Sequence, residues 1–219
     1  MKKVLKYTDF TLWRLIPTIF LLVNLYSVVR AFNRIENYSF LLFLESFSLI
    51  MCFVFLGLAS VLRTFKGTEK FSIVSRYAAG AMALIYITLY VMQRIQTVRF
   101  VRSLGYTTSF SNYYSLFTLE KIMCIIALLI VIISCILKDK LFKTKWILTV
   151  LCALSNFVAT FCSPLYTLIN FEGTISFRFL FNSFLISYCY CAVIITGLAP
   201  TKTRKIITKD VLNEEIQNI

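Results

Sequence analysis

Residues 40–58 read FLLFLESFSLIMCFVFLGL, and eighteen of the nineteen are residues that hydrocarbon tolerates. The exception is Glu45. A run this long and apolar is a membrane span, since about 20 residues at 1.5 Å each cross the roughly 30 Å of a bilayer core. A carboxylate inside it costs on the order of 3 kcal/mol on insertion scales, so it needs a partner or a task.

Five further runs of similar length accompany this one. The six are Trp13–Phe32, Phe40–Leu62, Ile73–Gln93, Leu116–Leu137, Trp146–Asn170 and Phe177–Leu198. Short polar connectors separate them (NRIENYS, RTFKGTEKFS, KDKLFKTK and FEGTIS), and one longer connector, RIQTVRFVRSLGYTTSFSNYYS, joins the third to the fourth. With 59% apolar and 15% charged residues in 219, and a mean hydropathy of +0.80, the chain has too little polar surface to cover a water-soluble domain. Backbone groups in lipid must be satisfied within the segment, so each run is read as a helix; the alternating ten-residue strands of a barrel are not visible. The expected fold is an all-α integral membrane protein, a six-transmembrane-helix bundle forming a single domain over residues 1–200, with 201–219 as a cytoplasmic tail.

The net charge of +13 is distributed as a membrane topology requires. Sixteen Lys and Arg residues fall on one side: Lys2, Lys3, Lys6 and Arg14, then Arg63, Lys66, Lys70 and Arg76, then Lys138, Lys140, Lys143 and Lys145, then Lys202, Arg204, Lys205 and Lys209. The other side holds six, Arg30, Arg34, Arg94, Arg99, Arg102 and Arg178, and Lys121 lies within a helix. This asymmetry puts both termini in the cytoplasm. Basic residues at a membrane surface attract anionic headgroups, so the excess calls for membrane lipids and not for nucleic acid. The N-terminal MKKVLKYTDFTLWRL has a basic start but no convincing cleavage site, and reads as an uncleaved first helix.

Missing residue types exclude much chemistry. The chain has no histidine, which removes His-ligated metal and haem sites, Ser-His triads and Cys-His pairs. Its aspartates, Asp9, Asp139 and Asp210, all lie outside the six runs. The six glycines form neither a phosphate-binding loop nor a dinucleotide fingerprint. Cys52, Cys124, Cys135, Cys152, Cys162, Cys189 and Cys191 fall inside helices with no CxxC spacing, and read as small buried hydrophobes. No catalytic residue, metal or cofactor is expected, and the chain leans away from an enzyme. Asn37-Tyr38-Ser39 matches a glycosylation sequon but abuts the second helix.

Ser75, Ala79 and Ala83, with Gly80 beside them, recur at the spacing of a close helix contact, expected to be intramolecular. Pro17 and Pro164 should kink the first and fifth helices.

With both termini inside, the even helices start at the outer face and Glu45 lies roughly 8 Å below it. Glu120 and Lys121 on the fourth helix, and Arg178 and Asn182 on the sixth, enter at a similar depth. Tyr90, Gln93 and Arg94 on the third helix, and Cys162, Ser163 and Tyr166 on the fifth, reach that level from below. The strongly polar groups within the bilayer are thus expected in its outer third, with Arg14 and Arg76 as inner exceptions that snorkel. Lys121 is the expected ion-pair partner of Glu45 and Arg178 the second choice. Two readings of the cluster stand side by side: a snorkelling rim, or a cavity open to the outside that captures a small polar solute. The candidate ligand-binding set is Glu45, Tyr90, Gln93, Arg94, Glu120, Lys121, Ser163, Tyr166, Arg178 and Asn182, with the long connector as its lid.

The leading functional expectation is a solute-binding or transport-associated subunit in the plasma membrane, with basic inner loops available to a cytoplasmic partner or other membrane subunits. The alternative is a structural or assembly subunit of a larger membrane complex. A lipid-modifying enzyme, using Glu45 or Glu120 as a base, and a channel or sensor stand behind both.

Overall fold

A computed structural model describes residues 8–34, 39–65, 67–103, 113–137, 141–170 and 177–200, with side chains assigned except at 97, 98, 100–103, 113–118, 163–170 and 177–180. The sequon's Asn37 and Tyr38 and the tail from 201 lie outside the described residues. Among those residues, six helices are long and apolar enough to cross a membrane, and the chain is accordingly an integral multi-pass membrane protein. They are α1 (Thr8–Arg34), α2 (Phe40–Leu62), α3 (Glu69–Ser103), α4 (Tyr113–Ile136), α5 (Phe142–Asn170) and α6 (Phe177–Leu198).

Five of the six close into a ring. α2 packs along α3, α3 along α4, α4 along α5, α5 along α6, and α6 returns to α2, while α1 lies outside against α2 and α6. Small residues set the closest approaches. A Cβ on Gly197 of α6 would stand 2.7 Å from the backbone oxygen of Leu56 on α2, and one on Gly57 would stand 2.5 Å from Thr18 Oγ1 on α1. Ala79 and Ala83 are fully buried, and a Cβ on Gly80 would sit 3.5 Å from Cys135 Cβ. Gly80 therefore packs α3 on α4 within the molecule.

α1 answers its proline with a π-helical turn, Thr11–Leu15, in which the Ile16 N–H reaches back to the Thr11 carbonyl. Pro17 has no N–H and its ring crowds the carbonyl four residues earlier, so the turn before it widens. Thr18 Oγ1 then donates to the Arg14 carbonyl at 2.6 Å.

At one end of the ring, the C-termini of α2, α4 and α6 meet the starts of α1, α3 and α5. Each of those three C-termini receives a cation. Arg14 donates to Ser60 O of α2 at 3.1 Å, Lys145 donates to Leu137 O after α4 at 3.2 Å, and Arg63 donates to Ala199 O after α6 and, at 3.5 Å, to Thr196 O. Terminal carbonyls have no intrahelical donor and carry the negative end of the helix dipole, so a guanidinium or ammonium there is favoured on both counts. The snorkelling expected of Arg14 and Arg76 is corrected here. Arg14 docks on the C-terminal turn of α2, a helix end closer than the headgroups, and Arg76 is buried.

The long connector is corrected too. α3 continues through Ser103, ten residues beyond the apolar run that closes at Gln93, and α4 already begins at Tyr113. The sequence RIQTVRFVRS contains no Gly or Pro, so loss of hydropathy ends the span without ending the helix. Most of the expected lid is helix, and only residues 104–112 between α3 and α4 lie outside the described residues.

Candidate functional site

Glu45 sits in the second turn of α2 and is buried at 7% exposure. Its Oε1 lies 3.7 Å from Lys121 Nζ on α4, an ion pair longer than a hydrogen bond. The ammonium is itself 6.0 Å from the centre of the Tyr90 ring on α3, within the range of a cation–π contact. Tyr90 stacks on Tyr86, one turn below, with ring centres 6.4 Å apart and planes 10° from parallel. The Tyr86 hydroxyl, almost fully buried, faces both Cys124 Sγ at 4.0 Å and the Glu45 carboxylate. Three helices are thus joined by one chain of polar contacts, α2 to α4 through the ion pair and both to α3 through the two tyrosines.

Inside this chain lies a cavity of about 280 Å³, lined by Leu49 and Phe53 of α2, Tyr86 of α3, Glu120, Lys121 and Cys124 of α4, Asn156, Ala159 and Thr160 of α5, and Ser183, Ile186 and Tyr190 of α6. Every ring helix contributes and α1 contributes nothing, so the cavity lies on the axis of the ring. Its lining on α6 runs from Ser183 to Tyr190, roughly 10 Å along the helix axis at 1.5 Å per residue. Phe53 and Tyr190 meet edge to face with centres 4.5 Å apart. The hydroxyls of Thr160 and Ser187 hydrogen bond to one another, closing the seam between α5 and α6.

Asn156 decides how this cavity is read. It stands midway along α5, is 4% exposed, and its Nδ2 is buried without a hydrogen-bond acceptor. The Cys191 sulfur is placed to accept from the amide while donating its own proton to the Ala153 carbonyl at 3.5 Å, but a thiol is a weak acceptor. Buried amides are almost always paired, and an orphaned donor costs about 1–3 kcal/mol.

The residues singled out in the sequence divide three ways. Glu45, Tyr90, Glu120 and Lys121 come together as described, with Glu120 and Lys121 on the cavity wall and Glu45 behind it. Gln93 is half-buried away from the lining, and Arg94 and Asn182 are exposed, so these three do not join the cavity. The side chains of Ser163, Tyr166 and Arg178 lie outside the described residues. Asn156 on α5, together with Ser134 on α4 and Thr149 on α5, is a buried polar group that the sequence reading did not single out. The cavity walls also include Tyr86, Thr160, Ser183 and Tyr190, which depth alone did not identify. An asparagine in the middle of an apolar span was the available signal, because its cost there demands a reason.

All seven cysteines are free thiols, and among the described residues no group of three His, Cys, Asp or Glu side chains is arranged to hold a metal. No family model matches this chain, and neither a curated protein nor a solved structure does.

Proposed function

We propose that this membrane protein is a solute-binding, transport-associated subunit whose axial cavity receives a small polar molecule. The observation that carries this reading is Asn156, a mid-span amide with a buried, unsatisfied Nδ2 in the wall of a cavity to which all five ring helices contribute. A staple between helices needs no cavity, and a snorkelling rim needs no amide in mid-span. The volume is that of about nine water molecules at roughly 30 Å³ each, at the small end of metabolite sites.

In the topology that the charge asymmetry favours, both termini are cytoplasmic and the Glu120–Lys121 end of the cavity faces the outside of the plasma membrane. A reporter active only outside the cytoplasm, fused after Ile219, should be silent. The basic end is then available to anionic lipids and to a cytoplasmic partner.

The test is thermal stability of the purified chain in detergent against a metabolite panel. A true ligand stabilises the folded state by about 2.7 kcal/mol at a hundredfold excess over Kd, a shift of several degrees. Ala159→Phe, which fills the cavity from α5, should fold and lose the response. If no compound shifts the wild type, or if Ala159→Phe responds equally, the reading fails. The assembly-subunit alternative, with the polar groups serving partner helices, would then stand first.

A further inference from the structure

Two polar groups on the cavity wall are left uncommitted by the protein, and they ask for different things. Asn156 Nδ2 is a donor without an acceptor, so it asks for a hydrogen-bond acceptor at mid-span. Glu120 enters the cavity two turns into α4 and is half-buried. The neighbouring ammonium of Lys121 makes its ion pair with Glu45, and among the described residues no salt bridge reaches Glu120. Among the described residues two carboxylates therefore face one ammonium, one positive charge short. A carboxylate at membrane depth without a counter-charge is costly enough to call for one.

The surfaces between these groups favour a flat organic body over an inorganic ion. Phe53, Tyr86 and Tyr190 present aromatic walls, with Leu49 and Ile186 completing them. Such walls stack on planar groups and attract organic cations.

Building on the solute-binding reading above, we infer that the occupant is an organic monocation: a protonated amine that meets Glu120, a planar or apolar body along Phe53, Tyr86 and Tyr190, and a hydrogen-bond acceptor that reaches Asn156. A small organic anion suits the site poorly. It would meet Glu120 directly, and the Lys121 ammonium on the wall is already paired with Glu45.

Three probes of one shape separate the charge from the rest: tyramine, tyrosol and 4-hydroxyphenylacetate, which share a phenol and differ in ending as ammonium, hydroxyl or carboxylate. Titrated calorimetrically into the full chain in detergent, tyramine should bind about tenfold more tightly than tyrosol, and the acid should bind weakest. Glu120→Gln should erase the preference for the amine, and Asn156→Leu should weaken tyramine and tyrosol alike. If Glu120→Gln does not fold, the ranking on the wild-type chain decides by itself. Equal binding of tyramine and tyrosol, tightest binding of the acid, or no binding of tyramine overturns the inference. None of these outcomes touches the solute-binding reading, which is judged by the wider panel and by Ala159→Phe.

Discussion

The two ends of the bundle use the same kinds of residue for opposite purposes. At the basic end, Arg14, Arg63 and Lys145 are each hydrogen bonded to the C-terminal carbonyls of a neighbouring helix, and Gly197 brings α6 against the backbone of α2. That end is sealed. At the other end Lys121 is held on Glu45 and over Tyr90, Glu120 is left without a salt bridge among the described residues, and the ring opens into a cavity that reaches Asn156. Polarity in a membrane protein is thus informative only with its partners: a cation on a helix terminus is construction, whereas an amide donor with nothing to donate to is an invitation.

The comparison breaks most readily at Gly197. A β-branched side chain there would meet Leu56 O at a distance no Cβ tolerates, and backbone cannot yield as a side-chain tip can. Gly197→Val should destabilise the bundle by about 3 kcal/mol, the upper range for overpacking, read as a lower melting temperature in detergent. A wild-type melting temperature would show that α2 and α6 are not held as closely as the seal requires.

The next effect concerns Lys145, at 1% exposure the most deeply buried cation among the described residues. Lys145→Met keeps the length of the side chain and removes the charged donor to Leu137 O. A loss of about 2 kcal/mol is expected, the typical worth of a hydrogen bond from a charged group. Lys143, exposed on the same helix, is the control, and Lys143→Met should change stability by less than about 0.5 kcal/mol. Equal effects at the two positions would reduce the seal to general surface charge.

At the open end the corresponding pair is weaker. Glu45 and Lys121 are 3.7 Å apart, and the lysine side chain is 37% exposed, so water can take over part of its solvation. Glu45→Gln should cost about 1–2 kcal/mol, less than a fully buried pair. The double variant Glu45→Gln/Lys121→Met should recover much of that, since neither charge then lacks a partner. Glu45→Gln/Arg94→Met should recover nothing, because Arg94 is exposed and elsewhere. Recovery with Arg94 instead would mean that the ion pair is assigned to the wrong cation.

How much of this was legible in the sequence follows from which forces act locally. α2 and α6 start and stop where their apolar runs do, because hydrocarbon thickness and helical rise fix both. α3 outran its apolar run by ten residues, from Gln93 to Ser103, since a helix ends at a breaker and not at the membrane surface. The pairing of Glu45 with Lys121 was readable from matching depth alone. The cavity was not. Its walls depend on which face of each helix turns inward and on the closing of α6 against α2, and depth says nothing about azimuth. The capping roles of Arg14, Lys145 and Arg63 were hidden for the same reason: charge asymmetry assigns them a side of the membrane, but their partners belong to other helices.

The smallest expected effect on stability is the sharpest test of the comparison. Asn156→Leu replaces an amide of similar length by an apolar side chain. If Asn156 were a structural staple like Lys145, the change would cost a hydrogen bond and lower stability by about 1 kcal/mol. Its Nδ2, however, has no acceptor to lose, and the hydrogen bond that Thr160 Oγ1 donates to the Asn156 backbone oxygen, at 3.0 Å, does not involve the side chain. Removing an unsatisfied donor relieves its desolvation penalty, so Asn156→Leu should be neutral or more stable by up to about 1 kcal/mol. Residues kept for binding commonly lower stability in this way. The same substitution should weaken the tightest-binding compound of the metabolite panel by about tenfold, the loss of one buried hydrogen bond of roughly 1.4 kcal/mol. Stability gained and affinity lost in a single variant is the signature of a binding group. A destabilised variant that binds as before would move Asn156 to the construction side of the comparison and leave the cavity without its most telling residue.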